Sequence, residues 1–301
     1  YWEKDQSNRI KQQSIDLSKF VTQKINKLYK KLQKLQEELM EAEESQKYRI
    51  YGELLTAHLH LIQPGDQEIE VINYYSDNEE KITIPLVPTW SPAKNAQNYF
   101  KKYTKAKNAL KEKKIQLEET ERETQYFENL LHAIENVSTL QDIEEIRDEL
   151  IEEGYLKKRK NKVSNKKKAA ATKPMSFISS DGFQIFVGKN NRQNDLLTLK
   201  LASKKDLWFH AKNIPGSHVV IVSNQRPIPQ RTILEAGELA AFYSKAKLSS
   251  NVPVDYTEIK NVKKPNGAKP GMVIYENYKT IFVTPRPNIG EILSKHTDRS
   301  K

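Results

Sequence analysis

Asp206, Trp208 and His210 occupy alternate positions of Asp206-Leu207-Trp208-Phe209-His210-Ala211, and alternate positions of a β-strand share one face. That face carries an acid, an indole and an imidazole in a row, with Lys212 next in the same register. Leu207, Phe209 and Ala211 take the opposite face and read as core. Asn213 to Ser217 are rich in the residues that make turns, so His218 returns at the start of a partner strand. Two roles are open to the row. Its members are either packing residues satisfied by one hydrogen bond each, or a surface on which an exposed base stacks and is hydrogen-bonded.

Upstream, Gly188 to Asp195 is a run of glycine, amides and charges between apolar stretches, too polar for core and too dense in hydrogen-bonding groups for a mere connector. Lys189, Arg192, Lys200, Lys212, Lys263, Lys264 and Lys269 are candidate phosphate ligands, while Asn190, Asn191 and Trp208 suit sugars and bases. His210 and His218 join that RNA-binding set. Asp206 is assigned to holding loop geometry, because a carboxylate repels phosphate. Catalysis finds no constellation. Gly188 to Arg192 lacks the spacing and the Lys-Ser/Thr ending of a phosphate loop, and Ser217 beside His218 is adjacency, not a triad. No catalytic residue, metal ligand or cofactor is expected, and the reading is a binding module.

The 301 residues carry a net charge of +11 that hides a division. Residues 1–156 hold 22 Lys+Arg against 29 Asp+Glu, a balance of −7; residues 157–301 hold 28 against 10, a balance of +18. A basic globular part is the electrostatic footprint of a polyanion binder, and an acidic part suits a scaffold. The absence of cysteine excludes disulfides and thiolate metal sites and fits a cytoplasmic protein. No run of eighteen apolar residues suggests a membrane span, and a chain beginning at Tyr1 reads as the C-terminal part of something longer.

Elements that would position these residues follow from periodicity. Asp5 to Ile62 lacks proline and reads as one helix, in which Val21, Ile25, Leu28, Leu32, Leu35, Leu39 and Ala42 are spaced 4-3-4-3-4-3. A second seam runs Tyr103, Ala106, Leu110, Lys113, Leu117, Thr120, Thr124, Phe127, Leu131 and Ile134. Two seams predict an intramolecular antiparallel coiled coil, in which about 40 residues span roughly 60 Å. Between them, about 63–93, Ile69 to Tyr75 and Lys81 to Leu86 alternate like a β-hairpin tip on which Trp90, Tyr99 and Phe100 pack. Residues 138–155 form a return helix and 157–174 a flexible basic linker. Residues 175–285 alternate strands, including Leu197 to Leu201, with one helix from Arg231 to Lys247, an α+β pattern. Residues 286–301 read as a disordered tail.

Val187 to Asp195, Leu197-Thr198-Leu199-Lys200, Asp206 to His210, Gly216-Ser217-His218-Val219 and Lys263 to Gly271 together resemble, in order and spacing, the NFACT-R domain of the fibronectin-binding protein A / RqcH (NFACT) family. Residues 1 to about 155 resemble that family's coiled-coil and middle region, and no counterpart of its N-terminal NFACT-N domain or helix-hairpin-helix segment is visible. The resemblance implies an α+β NFACT-R-like domain joined to a long coiled-coil arm, monomeric, contacting rRNA and tRNA on the large ribosomal subunit. It further implies a cytoplasmic quality-control factor that recruits alanyl-tRNA for C-terminal alanine tailing of stalled peptides, using residues outside this sequence. The alternative it implies is a surface adhesin of a Gram-positive bacterium that binds fibronectin.

Overall fold

The structure is a computed structural model and describes residues 2–43, 45–78, 80–157 and 172–293. It divides into two compact units, one made of residues 28–122 and the other of residues 1–27 with 123–301. No helix among the described residues is long and apolar enough to cross a membrane.

The first helix, α1 (Trp2–Glu43), is followed by α2 (Gln46–Ala57), so the single helix expected from Asp5 to Ile62 is interrupted. The cause is a change of packing partner. Along α1, Leu17, Val21, Ile25, Leu28, Leu35 and Leu39 are buried at heptad spacing, whereas α2 turns Leu54 and Leu55 into a different core, shared with Ile62, Val71, Ile84, Leu86 and Tyr99. That core belongs to the 28–122 unit and includes the hairpin of β1 (Glu68–Ile72) and β2 (Lys81–Pro85), paired antiparallel from Glu68↔Pro85 to Ile72↔Lys81. A lone hairpin is marginal in water. Here Tyr99 supports it, its hydroxyl donating to the Pro85 carbonyl at 2.6 Å, and Asn95 holds the following turn by accepting from Val87 N at 2.8 Å. Tyr99 and Asn95 lie on α3 (Pro92–Glu135). In this unit Lys113 of α3 pairs with Glu38 of α1, yet a long antiparallel coiled coil is not resolved as a distinct element.

The other unit contains α4 (Leu140–Glu152), started by a capping box in which Asp142 N donates to Thr139 Oγ1 at 3.1 Å and Thr139 N to Asp142 Oδ2 at 3.0 Å. Next come β3 (Met175–Ile178), β4 (Gln184–Val187), α5 (Asn191–Leu196), β5 (Leu207–Ala211), β6 (Val219–Ile221), α6 (Gln230–Phe242), β7 (Val252–Glu258), β8 (Val262–Lys263), β9 (Ile274–Tyr275), β10 (Lys279–Val283) and α7 (Ile289–Ile292). Six strands form an antiparallel sheet in the order β10-β7-β5-β6-β4-β3, with β5 in the middle. The unit is α+β, as expected. Phe209 and Ala211 on one face of β5 join Phe177, Ile185, Val219 and the Ala236, Leu239 and Ala240 stripe of α6 in the main core. Trp208 on the other face joins Leu197, Val220, Ile259 and Val262 in a smaller one, so both faces of β5 are covered.

Three expectations are corrected. Gly188 to Asp195, read as too polar for core, buries Asn190, Asn191, Gln193 and Asn194, and Asn190 caps α5 by accepting from Gln193 N at 2.9 Å. Leu197–Leu201 is not a strand but a π turn closed by Ala202 N donating to Leu197 O at 3.0 Å. The wider turn lets Leu197 and Thr198 both face inward while Leu199 and Leu201 stay exposed. The third concerns the tail from 286, which is structured as far as residue 293. Ile289 and Leu293 flank α7 and sink into the main core. Residues 294–301 lie outside the described residues, and so do 158–171 of the expected linker; Thr172 is held, its N–H and hydroxyl both donating to Glu145, at 2.6 and 2.8 Å.

Candidate nucleic-acid interface

Asp206 is a buried clamp. Its Oδ2 accepts from Ser203 N and its Oδ1 from Ser223 N, both at 2.8 Å, so it ties the turn before β5 to the turn after β6. Two positions on, Trp208 is fully buried, and its Nε1–H has no hydrogen-bond partner among the described residues. His210 stacks on its ring at 13° and 5.8 Å, while His218 meets it edge-on at 5.2 Å. His218 N donates to Asn194 Oδ1 at 3.0 Å, and its Nδ1 shares a hydrogen bond with Thr198 Oγ1 at 2.8 Å. Burial pushes the imidazole pKa of His210 down to about 4, against the opposing pull of the Gly216 backbone, and holds that of His218 well below its ordinary value. Both rings are therefore neutral at physiological pH and give no charge to a phosphate.

Polar residues expected to face RNA instead meet α4 and its C-cap residue Glu153. Asn190 Nδ2 donates to Glu145 Oε2 at 2.9 Å, Asn191 Nδ2 to Glu149 Oε1 at 3.1 Å, Arg192 pairs with Glu152 at 2.5 Å, and Lys269 pairs with Glu153 at 2.7 Å. The arrangement requires a close approach at Gly271 (φ +77), where a Cβ would stand 2.7 Å from Asn191 Oδ1. Glu149 is almost wholly buried, and its Oε2 lies by the Tyr126 hydroxyl without a well-formed hydrogen bond to it. Desolvation raises its pKa to about 7, although the Asn191 amide favours the charged form. A carboxyl whose folded pKa is raised contributes stability that is whole below its unfolded pKa and is lost as pH rises through about 7. Glu149→Gln is accordingly expected to raise the melting temperature at pH 8 and leave it nearly unchanged at pH 5; an equal effect at both values would show that ionisation of Glu149 is not the cause.

The remaining cations are scattered. Lys264 pairs with Asp195, whose other oxygen accepts from Gly271 N at 3.1 Å; Lys263 reaches Glu276 at 3.4 Å; Lys212 reaches Asp255 at 3.5 Å and lies 4.9 Å over the Tyr278 ring. Lys189 is half-buried, and its backbone N–H donates to Gln193 Oε1 at 3.1 Å. Lys200, on the π turn, and Lys263 are the exposed members of the expected set, and Lys200 has no ion pair among the described residues. Lys204 and Lys205, which sequence reasoning passed over, are likewise exposed. They are adjacent lysines in a turn before a strand, a pattern that carries little information until Asp206 is seen to pin that turn. Surface pairs are worth only about 0–1 kcal/mol each, so the paired lysines can still exchange a carboxylate for a phosphate.

Sequence reading also missed Tyr275, whose ring lies 4.8 Å from Trp208 and whose hydroxyl donates to Asp255 Oδ2 at 2.9 Å. With His210, His218, the Asn213–Pro215 turn, the Gly271–Val273 segment and Gln125, Glu128 and Asn129 of α3, Trp208 and Tyr275 wall a cavity of about 190 Å³. All of these residues belong to one compact unit. Among the described residues no group of three or more His, Asp or Glu could hold a metal ion, and the chain has no cysteine nucleophile.

Residues 1–169 match the family model described as NFACT N-terminal and middle domains, and residues 173–277 match that of the NFACT protein RNA binding domain. The chain is 46% identical over 285 residues to the Rqc2 homolog RqcH of Bacillus subtilis and 44% identical over 286 residues to the Rqc2 homolog RqcH of Streptococcus suis, covering 95% of this chain in each case. These alignments cover 50% of each relative, so the chain spans about half the length of the curated relatives it matches. Among solved structures, the C-terminal part of the fibronectin/fibrinogen-binding protein from Streptococcus suis matches with a TM-score of 0.74 at 39% identity, over 95% of this chain and 99% of that one.

Proposed function

Because this chain belongs to the NFACT family, we propose that its sheet-bearing unit is an RNA-binding module of a ribosome-associated protein. The observation that carries this is that the RNA-binding-domain match, residues 173–277, lies within the basic part of the chain and is itself basic, with 15 Lys+Arg against 8 Asp+Glu, a balance of +7. Exposed Lys200, Lys204 and Lys205 supply the first phosphate contacts, and the paired Lys212, Lys263, Lys264, Lys269 and Arg192 exchange carboxylates for phosphates as RNA approaches. The buried Asn190, Asn191, Asp206 and Trp208 hold that surface in shape.

The wider reading extends to the whole protein of which this chain corresponds to about half in its relatives. In it, α1 and α3 zip along their heptad seams into an antiparallel coiled-coil arm that reaches along an obstructed large ribosomal subunit, and residues 157–174 tether the arm to the RNA-binding module. The protein works in the cytoplasm as a monomer, and with an N-terminal domain it recruits alanyl-tRNA to add C-terminal alanines to the stalled peptide. A second reading, a surface protein that binds fibronectin, draws support from the likeness to the Streptococcus suis fibronectin/fibrinogen-binding protein.

Binding of the 301-residue chain to single-stranded RNA over a salt series separates the two. The expected log-log slope is about −0.7 for each phosphate neutralised, and Lys204→Ala with Lys205→Ala flattens it by about one unit or more without changing the melting temperature. Salt-independent RNA binding, or a preference for fibronectin over RNA at physiological salt, would reject the RNA reading.

A further inference from the structure

We propose that two adjoining depressions, at the end of the sheet where β5 begins and β6 and β7 finish, hold successive phosphates of one RNA strand without reading its bases. The inference rests on the RNA-binding reading and deepens it, because it adds Arg226 and Lys260 to Lys204 and Lys205 and gives all four one place to act.

A single buried carboxylate assembles the site. Both oxygens of Asp206 are occupied, Oδ2 by Ser203 N at 2.8 Å and Oδ1 by Ser223 N at 2.8 Å and Ser223 Oγ at 3.0 Å. Its backbone carbonyl accepts from Ile259 N at 2.9 Å, and the Lys204 carbonyl accepts from Lys260 N at 3.2 Å. Strand register agrees, since Leu207 is opposite Ile221 on one side and Glu258 on the other. Three segments distant in sequence are thereby fixed together, and each carries cations: Lys204 and Lys205 on the first, Arg226 on the second, Lys260 on the third.

The cations are positioned in advance of a ligand. Arg226 closes a tight turn by donating its N–H to Ser223 O at 2.9 Å, with Asn224 and Gln225 both at positive φ, 48° and 60°. Its guanidinium carbon stands 4.4 Å from the centre of the buried Phe183 ring. A guanidinium stacked on an aromatic face keeps its N–H edge for the two oxygens of a phosphate. Lys204, Lys205 and Arg226 are exposed and form no ion pair among the described residues. Lys260 pairs with Glu258 at 2.7 Å, but both side chains are about half exposed, and such a surface pair readily gives way to a phosphate.

Shape and charge agree on the ligand. The depressions measure about 470 Å³ each and share Lys205, Ser223 and Gln225 as a common wall, so neighbouring anions on one strand fit them together. Their linings hold four cations against two carboxylates, and one of those, Asp206, is already spent on the turns. The Arg192 and Lys269 side of the unit differs, because Glu152 and Glu153 already face those cations. No aromatic side chain lines either depression, so bases have nothing to stack on, and contacts to phosphate alone carry no sequence information.

The test measures binding of the 301-residue chain to equal-length oligonucleotides of A, C or U over a salt series. Arg226→Ala is expected to weaken all three by the same factor, about tenfold at low salt, the scale of a hydrogen bond to a charged group. Arg226→Ala and Lys260→Ala should each flatten the log-log slope by about 0.7, one phosphate contact on a single strand. Lys279→Ala, which removes an exposed lysine of β10 outside both depressions, should leave the slope unchanged. If Arg226→Ala melts at a lower temperature, Lys260→Ala carries the test, its side chain being more than half exposed. Inorganic pyrophosphate should compete only as far as the ionic strength it adds; displacement of RNA by micromolar pyrophosphate would assign the site to a small free oligophosphate and overturn the proposal. Unchanged slopes in both variants, or a loss confined to one base, also overturn it and leave the RNA-binding reading standing. Absence of RNA binding by the unaltered chain at low salt overturns both.

Discussion

Trp208→Ala is expected to cost about 3–5 kcal/mol of stability, the range for deleting a fully packed aromatic side chain. Trp208 is the largest wholly buried side chain of the protein's described residues and the centre of the small core formed with Leu197, Val220, Ile259 and Val262. It pairs across β5 with Val220 on one side and Thr257 on the other, so a cavity at this position loosens the middle of the sheet. Tyr275 at 4.8 Å and His218 at 5.2 Å would lose their aromatic partner together. Urea unfolding followed by far-UV circular dichroism measures the effect, with Trp208→Phe losing clearly less because it retains most of the packing. RNA affinity should fall in Trp208→Ala only as far as the folded fraction falls. A variant that keeps the unfolding midpoint but no longer binds RNA would identify an exposed stacking platform and contradict the packing described above.

Acidification below pH 6.5 should destabilise the protein through His210 and His218. The folded pKa of each is depressed, so the folded state binds the proton less readily than the unfolded chain. The stability they contribute is whole above an unfolded value of about 6.5 and is lost as pH falls toward the folded value of about 4 for His210. At about 1.4 kcal/mol per pH unit of displacement, His210 alone accounts for a loss on the order of 3 kcal/mol, and His218 adds to it in the same direction. Glu149 acts in the opposite sense, since its contribution is lost as pH rises, so the measurement is best made in the Glu149→Gln background. Nuclear magnetic resonance titration should show both imidazoles neutral from pH 8 to pH 5. An inflection of His210 near pH 6.5 would refute the account, because it would mean that the ring is not desolvated.

Much of the architecture was legible in the residues alone. Alternation assigned Phe209 and Ala211 to one face of β5 and Trp208 and His210 to the other, and the main core contains the first pair as expected. The 4-3 spacing marked the buried stripe of α1, breaker residues and alternation located the β1–β2 hairpin, and the division into an acidic and a basic part set the RNA-binding expectation. Asp206 was assigned to holding a loop because of its charge, and it does so through Ser203 and Ser223. Motif order identified the family, because several spaced motifs must agree together.

Tertiary structure decided whether each face meets water. Alternation determines the side of a strand on which a residue points, but Trp208 is core only because the π turn and residues 259–262 close over it. Asn190, Asn191, Arg192 and Lys269 had the composition of a phosphate-binding surface, yet Glu145, Glu149 and Glu152 of α4 and Glu153 just after it engage them from 40 to 116 positions away. Local periodicity encodes nothing about such distant partners. A charge on an isolated stretch of sequence looks available to RNA, and only the folded chain shows which charges are already neutralised, because electrostatic pairing depends on distance in space and not on separation along the chain.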